Sequence, residues 1–283
     1  MSEQRAFELE SPGSFGDVLH GVVQWPEGPG PHPAVVICHG FKGFYEWGFF
    51  PPLADLLTDR GFVVVRFNYS GSGMRPGDER VTDLDAFRRN TLSLERDETL
   101  KVLDSVYILA QGRAAADGLT LLGHSRGGAA AILAAAHPEW RGRLRALVTW
   151  AALSSFDRYT TPDARAAWRR DGVIPIVNGR TGQELELGIE LLEDVEQNTA
   201  ALDLGAAAEA IEAPWLIVHG AADETVPPSE AHTLDRRASS FHELQIVKGG
   251  SHTFGAQHPF AGPTRELIRA MNGTQIWLRR HTR

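Results

Sequence analysis

The chain has 283 residues, of which 42% are hydrophobic and 23% charged, the balance of an ordinary globular protein. Its formal net charge of −8 provides no overall positive field for gathering phosphates, so we expect no nucleic-acid partner. Cys38 is the only cysteine, which excludes an intrachain disulfide and a cysteine-rich metal site. The sequence has neither a run of roughly 20 apolar residues nor a signal-peptide core, so we expect a cytoplasmic protein with no membrane partner.

An antiparallel edge hairpin is predicted near the start of the chain, from residues 6–10 and 18–25, with Pro12 and Gly13 in its turn. Continuous apolar runs then predict strands buried on both faces, at residues 34–38, 62–65, 119–122, 146–149, 215–218 and 244–247. Between them, helices are predicted at residues 53–58, 94–109, 128–136 and 230–237. This alternation predicts an α/β fold with a mostly parallel central sheet flanked by helices.

One long segment interrupts the alternation. Roughly sixty residues separate the fourth buried strand from the fifth, which is more than a plain crossover needs. The segment contains Pro162, Pro175 and a helix-like stretch at residues 185–198. We therefore expect a small inserted cap at residues 155–210, within a single domain that spans residues 1–283.

The pentapeptide Gly123-His124-Ser125-Arg126-Gly127 follows a predicted buried strand and precedes a helix rich in small residues. This strand-turn-helix context is that of a nucleophile elbow, where a serine lies at the tip of a sharp turn and glycines avoid collisions on either side. We predict Ser125 as a catalytic nucleophile. The alternative is a glycine-rich turn with a solvated serine.

A serine hydroxyl needs a positioned base, and His252 lies in a glycine-containing loop directly after the last predicted strand. The base in turn needs an acid that orients its ring. Asp223 follows the preceding strand and gives the chain order Ser, Asp, His, with Glu224 as its rival. We predict catalytic roles for Ser125, His252 and Asp223.

Acyl transfer also requires donors for the developing oxyanion. The backbone N–H of Arg126, next to the nucleophile, is one candidate, and the backbone N–H of Phe41, in the loop after the first buried strand, is the other. Three aromatic side chains, those of Phe44, Trp47 and Trp168, are predicted to contact the substrate. For each of them, packing in the core or the cap is the alternative.

Two further patterns resemble sites of other kinds. The segment 68–73 contains glycines after a strand, but its spacing fits neither a dinucleotide loop nor a phosphate loop, so we interpret it as a surface turn. His39, His124 and His219 lie at strand ends without the carboxylate spacing of a metal site, and hydrogen bonds to loop backbone are predicted for them. We expect no metal and no cofactor.

Together, the elbow, the His39-Gly40 loop, Asp223 and His252 resemble the α/β-hydrolase superfamily over nearly the whole chain, which implies an α/β-hydrolase fold. Within it, the sequence resembles small carboxylesterases of the cinnamoyl or feruloyl esterase type, the catalytic domains of prolyl-oligopeptidase-like peptidases, and dienelactone hydrolases. It has no propeller domain before the catalytic region, and Ser125 stands where dienelactone hydrolases have a cysteine nucleophile.

The resulting hypothesis is a serine carboxylesterase that cleaves short-chain or aromatic esters through an acyl-enzyme, with a small-molecule ester as its substrate. A peptidase or aminoacyl amidase with the same chemistry is the first alternative. A non-catalytic ligand-binding protein on the same fold is the second, since a fold does not fix a function. A homodimer is left open as the assembly.

Overall fold

The computed structural model describes residues 3–157 and 161–282, so residues 158–160 of the predicted cap and residues 1, 2 and 283 of the predicted domain lie outside the described residues. The strands of the described part are β1 (Glu3–Glu10), β2 (Val18–Trp25), β3 (His32–Cys38), β4 (Val63–Phe67), β5 (Ala114–His124), β6 (Ala146–Trp150), β7 (Val173–Val177), β8 (Glu184–Gly188), β9 (Trp215–Gly220) and β10 (His242–Val247). Its helices are α1 (Phe50–Asp59), α2 (Leu84–Arg88), α3 (Leu92–Leu109), α4 (Arg126–Ala136), α5 (Pro162–Asp171), α6 (Ile189–Gln197), α7 (Leu204–Ala210), α8 (Pro228–Arg237) and α9 (Arg265–His281).

The central sheet has the strand order β1-β2-β4-β3-β5-β6-β9-β10, eight strands within the described residues. Strands β1 and β2 pair antiparallel, and β2 pairs antiparallel with β4. All the later neighbours in this strand order, β4-β3-β5-β6-β9-β10, pair in parallel. The predicted edge hairpin and the mostly parallel sheet are therefore both confirmed. The parallel strands bring their carboxyl ends to one edge of the sheet, where the loops after β3, β5, β9 and β10 meet.

Helices cover both faces of this sheet because its central strands are apolar on both sides. In β3, Val36 and Cys38 belong to one buried cluster, whereas Val35 and Ile37 belong to another, as the two-residue period of a strand requires. Apolar residues of α3, α4, α7 and α8 pack in the first cluster. Those of α1 and α9 pack in the second. The turn that carries Ser125, between β5 and α4, is thereby held between two packed layers.

The segment between β6 and β9 contains α5, a two-stranded antiparallel ribbon of β7 and β8, and then α6 and α7. The helix predicted at residues 185–198 begins only at Ile189, so that prediction was wrong at its start. Residues Glu184–Gly188 pair with Val173–Val177 instead, and this pairing satisfies their backbone groups as a strand. Across residues 3–157 and 161–282, none of the helices combines the length and the apolarity that crossing a bilayer requires.

Candidate active site

Ser125 lies alone in the turn between β5 and α4, with φ 57° and ψ −124°. Such a backbone conformation costs on the order of 1–3 kcal/mol in a residue other than glycine, and it persists because its surroundings leave no other path. A Cβ atom at Gly123 would lie 2.3 Å from the carbonyl oxygen of Gly127, and one at Gly127 would lie 2.2 Å from that of His39. The elbow can therefore form only with glycine at both positions.

The structure brings the three predicted catalytic residues together. His252 Nε2 lies 3.0 Å from Ser125 Oγ, and His252 Nδ1 lies 2.9 Å from Asp223 Oδ2. The Asp223 side chain is fully buried, whereas that of His252 is 19% exposed. This arrangement can remove the proton from Ser125 Oγ while the carboxylate keeps the imidazole in the required orientation.

The surroundings of Asp223 keep its carboxylate ionised. Its Oδ1 accepts hydrogen bonds from the backbone N–H groups of Thr225 (2.9 Å) and Val226 (2.8 Å). Burial alone would raise the pKa of Asp223, but the His219 and His252 rings beside Oδ2 outweigh burial and hold that pKa well below its usual range. Glu224, the rival acid, is exposed to solvent.

Three buried histidines fix the loops around this site. His124 Nε2 lies 2.9 Å from the carbonyl oxygen of His252, and burial, with a smaller contribution from His252, lowers the pKa of His124 to about 3. His39 Nδ1 lies 2.9 Å from the carbonyl oxygen of Gly40, and burial lowers the pKa of His39 to about 4. With His219 Nε2 at 2.9 Å from the carbonyl oxygen of Val226, the backbone contacts predicted for the three histidines are confirmed.

The loop that carries Phe41 passes directly beside the elbow. A Cβ atom at Gly40 would lie only 2.9 Å from Ser125 Cβ, so the backbone of this loop approaches Ser125 as closely as a glycine permits. The loop turns tightly, because the Gly43 N–H donates to the Gly40 carbonyl at 2.9 Å and Lys42 has φ 60°. Both predicted oxyanion donors, on Phe41 and Arg126, therefore belong to segments adjacent to Ser125.

A sequence model of the alpha/beta hydrolase family matches residues 35–265, most of the chain and all the residues of this site. The chain belongs to the alpha/beta hydrolase family. The predicted resemblance and the predicted fold class are thereby confirmed. The family that matches is one of hydrolases, and a curated relative is also named a hydrolase.

That relative is 2,6-dihydropseudooxynicotine hydrolase of Paenarthrobacter nicotinovorans, 29% identical over 233 residues. The match covers 81% of this α/β hydrolase and 55% of the relative, so the chain spans about half the relative's length. Among solved structures, DcsB in complex with its substrate analogue superposes with a TM-score of 0.76 at 16% identity, covering 99% of this chain and 100% of that one. Est1E from Butyrivibrio proteoclasticus with ferulic acid bound gives a TM-score of 0.70 at 20% identity, covering 97% and 98%. Both show the shared fold.

The three aromatic residues predicted to contact substrate lie in two places in this α/β hydrolase. Phe44 is buried and Trp47 half-buried, and their rings pack against His258 with centroids 5.0 Å and 6.3 Å away. Trp168 is buried in α5, donates from Nε1 to the Leu187 carbonyl at 3.1 Å, and lines an apolar cavity of about 20 Å³. That cavity has room for no more than about one water molecule. A role in substrate binding stays a prediction for all three.

Sequence reasoning missed two charged or polar contacts of this site. His219 lies four residues before Asp223, and that spacing within one loop was a signal that the two side chains could meet. Glu95 is different. Glu95 lies on α3, and 31 residues separate it from Arg126 in the sequence, so no local sequence pattern predicts their contact.

Proposed function

We propose that this α/β hydrolase is a serine carboxylesterase that works through an acyl-enzyme. One observation carries the proposal: an unbroken line of contacts runs from Ser125 Oγ through the His252 ring to the buried Asp223 carboxylate, with distances of 3.0 Å and 2.9 Å. A nucleophile, a base and an orienting acid in this order are what acyl transfer to a hydroxyl requires.

In the first step, Ser125 Oγ attacks the acyl carbon of the ester while His252 Nε2 takes the hydroxyl proton. The backbone N–H groups of Phe41 and Arg126 donate to the oxyanion that forms, and Asp223 stabilises the imidazolium. The carbon–oxygen bond to the alcohol then breaks, and His252 returns the proton to the departing oxygen. In the second step, water attacks the acyl carbon of the acylated Ser125 while His252 takes one of its protons. The bond from that carbon to Ser125 Oγ then breaks, and His252 returns the proton to Oγ, which releases the acid and restores free Ser125.

The substrate in this proposal is a small-molecule ester with a short or aromatic acyl group. The loop after β3 carries three aromatic rings, those of Phe41, Phe44 and Trp47, which pack in or against the apolar core, and the proposal assigns the apolar contacts with the acyl group to them. The inserted segment, residues 155–210, acts as a cap that selects the acyl group. Its β7–β8 ribbon is tied to that loop, because Lys42 Nζ donates to the Val177 carbonyl at 3.2 Å.

Replacing Ser125→Ala removes the nucleophile and leaves the buried Asp223 and the elbow glycines in place. We expect hydrolysis of p-nitrophenyl acetate and p-nitrophenyl butyrate to fall to the buffer rate, while the thermal unfolding midpoint stays close to that of the wild type. Ser251→Ala, a half-buried serine beside the base, serves as the control and is expected to retain turnover. Full turnover by the Ser125→Ala variant would refute the proposal.

Ester preference is tested with one acyl group presented as an aryl ester and as the matching anilide. An anilide nitrogen leaves less readily than a phenolic oxygen and needs firmer protonation by His252. We expect kcat/KM for the ester to exceed that for the anilide by more than about 100-fold, equivalent to about 2.7 kcal/mol of transition-state stabilisation. An anilide rate equal to or above the ester rate would show an amidase instead.

A further inference from the structure

We infer that the side chains of Glu95 and Arg126 position the oxyanion loop of this hydrolase, acting through the ring of Phe41. The inference rests on the proposed function and adds positioning residues to it. The backbone N–H of Arg126 is already one proposed donor, whereas its side chain and the whole of Glu95 have so far no role.

The two side chains form a buried, two-pronged ion pair directly behind the elbow. Arg126 Nε donates to Glu95 Oε2 at 2.8 Å, and Arg126 Nη2 donates to Glu95 Oε1 at 2.6 Å. Only 5% and 6% of the two side chains are exposed. Asn90 Nδ2 adds a further hydrogen bond to Glu95 Oε1 at 2.8 Å. The Glu95 carboxylate is thus held from two sides, by Arg126 at the start of α4 and by Asn90 in the turn before α3.

Stability alone does not account for such a pair. Removing two charges from water is costly, and apolar replacements of a buried pair are often neutral or stabilising. What a two-pronged arginine–carboxylate pair supplies is fixed geometry, because the planar guanidinium can satisfy both oxygens in only one orientation. The pair therefore orients the guanidinium plane of Arg126.

That oriented guanidinium lies over the ring of Phe41, with Cζ 4.7 Å from the ring centroid. The ring also stacks on Phe87 of α2, with centroids 5.6 Å apart and an angle of 26° between planes. Held by both contacts, the ring fixes the backbone at Phe41 inside a tight turn where Lys42 has φ 60°. The position of the Phe41 N–H consequently depends on where the guanidinium lies.

Arg126 thereby links the two proposed halves of the oxyanion hole. Its backbone supplies one donor at the start of α4, and its side chain reaches the residue that supplies the other. Donors of this kind are effective only when they are placed beforehand, and a displacement of about 1 Å can cost roughly 100-fold in rate. Loss of the pair is expected to lower transition-state stabilisation more than substrate binding.

The main test is the double variant Glu95→Gln/Arg126→Met, which removes both charges together and leaves no unpaired ion, so that the fold is preserved. We expect kcat for p-nitrophenyl butyrate to fall about 10- to 100-fold with little change in KM. Affinity for an alkyl trifluoromethyl ketone, whose serine adduct carries an oxyanion, is expected to weaken by the same factor. Affinity for butyrate, which forms no such adduct, is expected to stay unchanged.

Two further variants separate positioning from general packing. Phe41→Leu keeps the backbone N–H but removes the ring, and its effect on kcat is expected to overlap with that of the double variant, so that the combined loss falls well short of the product. Arg126→Lys keeps a charge opposite Glu95 without the planar fork, so it preserves the fold and is expected to show an intermediate loss. Glu98→Gln, at an equally buried glutamate one turn along α3, is the matched control and is expected to keep the wild-type kcat and the wild-type ketone affinity.

Wild-type kcat and wild-type ketone affinity in the double variant, or in Arg126→Lys if the double variant does not fold, would overturn the inference. A kcat loss without the matching loss of ketone affinity would also overturn it, since packing damage alone gives that pattern. In both cases Ser125-dependent hydrolysis by the wild type would leave the proposed function standing. Absence of that hydrolysis in the wild type would instead refute the proposed function and the inference with it.

Discussion

Among single residues, burial distinguishes clearly between the two neighbouring candidates for the acid that orients His252, Asp223 and Glu224. It is buried and lies 2.9 Å from His252 Nδ1, whereas Glu224 is exposed. Replacing Asp223→Asn removes the charge that stabilises the imidazolium and favours the wrong tautomer of the ring, so kcat is expected to fall by about 10⁴-fold. Glu224→Gln, the adjacent control, is expected to change ester turnover less than twofold. Equal kcat values in the two variants would contradict Asp223 as the acid that orients His252.

A second residue, Glu98, is expected to make the stability of the fold depend on pH. Glu98 is buried on α3 and accepts a hydrogen bond from Ser11 Oγ at 2.6 Å and one from the Ser70 N–H at 3.1 Å. Burial raises the pKa of Glu98 from 4.5 to about 7, the repulsion from Glu95 adds to it, and the hydrogen bonds only partly oppose it. The folded state therefore holds this proton more tightly than the unfolded chain, and its contribution to stability is lost as pH rises from about 4.5 to about 7.

A glutamine side chain does not titrate, so the Glu98→Gln variant does not lose this stability as pH rises, and its free energy of unfolding minus that of the wild type is expected to be larger at about pH 8 than at about pH 5, by on the order of 3 kcal/mol. Urea unfolding of both proteins at the two pH values measures the difference. An identical pH dependence of wild type and variant would show that Glu98 ionises in the folded protein as it does in water.

The residues that could be found from the sequence are those with a local signature. Ser125 was predicted because a strand, two glycines and a helix surround it, and His252 because it follows the last strand. Glu95 had no such signature, since only the packing of α3 against α4 brings it to Arg126. Trp168 was predicted to contact substrate on aromatic character alone, which does not distinguish a pocket wall from a packed core.

For whole elements, the β7–β8 ribbon is fastened to the body of the protein at one buried side chain. Gln183 Oε1 accepts from the Val81 N–H at 3.0 Å, and Gln183 Nε2 donates to the Val81 carbonyl at 2.9 Å. Gln183→Ala leaves both backbone groups without this partner, so amide exchange in residues 173–188 is expected to speed up by at least about tenfold. The KM for esters is expected to change with it if this ribbon forms part of the cap.

Gln245→Ala provides the control for that experiment, because Gln245 also bonds to backbone, at the Arg269 carbonyl, but on an exposed surface. It is expected to leave exchange in the ribbon unchanged. Unaltered exchange in the Gln183→Ala variant as well would show that other contacts, such as that of Lys42 with Val177, hold the ribbon.

The boundaries of some helices and strands could not be predicted from sequence patterns. The residues before Ile189 are compatible with a helix or a strand, and only pairing with β7 decides in favour of the strand. Helix α9 was not among the predicted helices, although its buried residues recur with helical spacing: Leu267, Ala270, Met271, Thr274, Trp277 and Leu278. In that case the information was present in the sequence and an asparagine and a glycine in mid-helix obscured it.

For the molecule as a whole, sheet topology accounts for the site. Strands β5, β9 and β10 run parallel, so the loops that carry Ser125, Asp223 and His252 emerge at the same edge although up to 127 residues separate them. This convergence could be predicted, because repeated strand–helix alternation makes the strands parallel and so brings their carboxyl ends to one edge of the sheet. The pocket proposed for the acyl group could not, since the proposal forms it from α5, β7, β8 and α6, whose packing no local sequence pattern predicts.

The central claim, that Ser125 is an activated nucleophile, is tested most directly by a fluorophosphonate probe followed by mass spectrometry of the labelled peptide. We expect one covalent adduct on Ser125, no labelling of the Ser125→Ala variant, and labelling at least about 100-fold slower in His252→Ala. A folded wild-type protein that takes up no label, or takes it up at another residue, would contradict the role of Ser125 as the nucleophile.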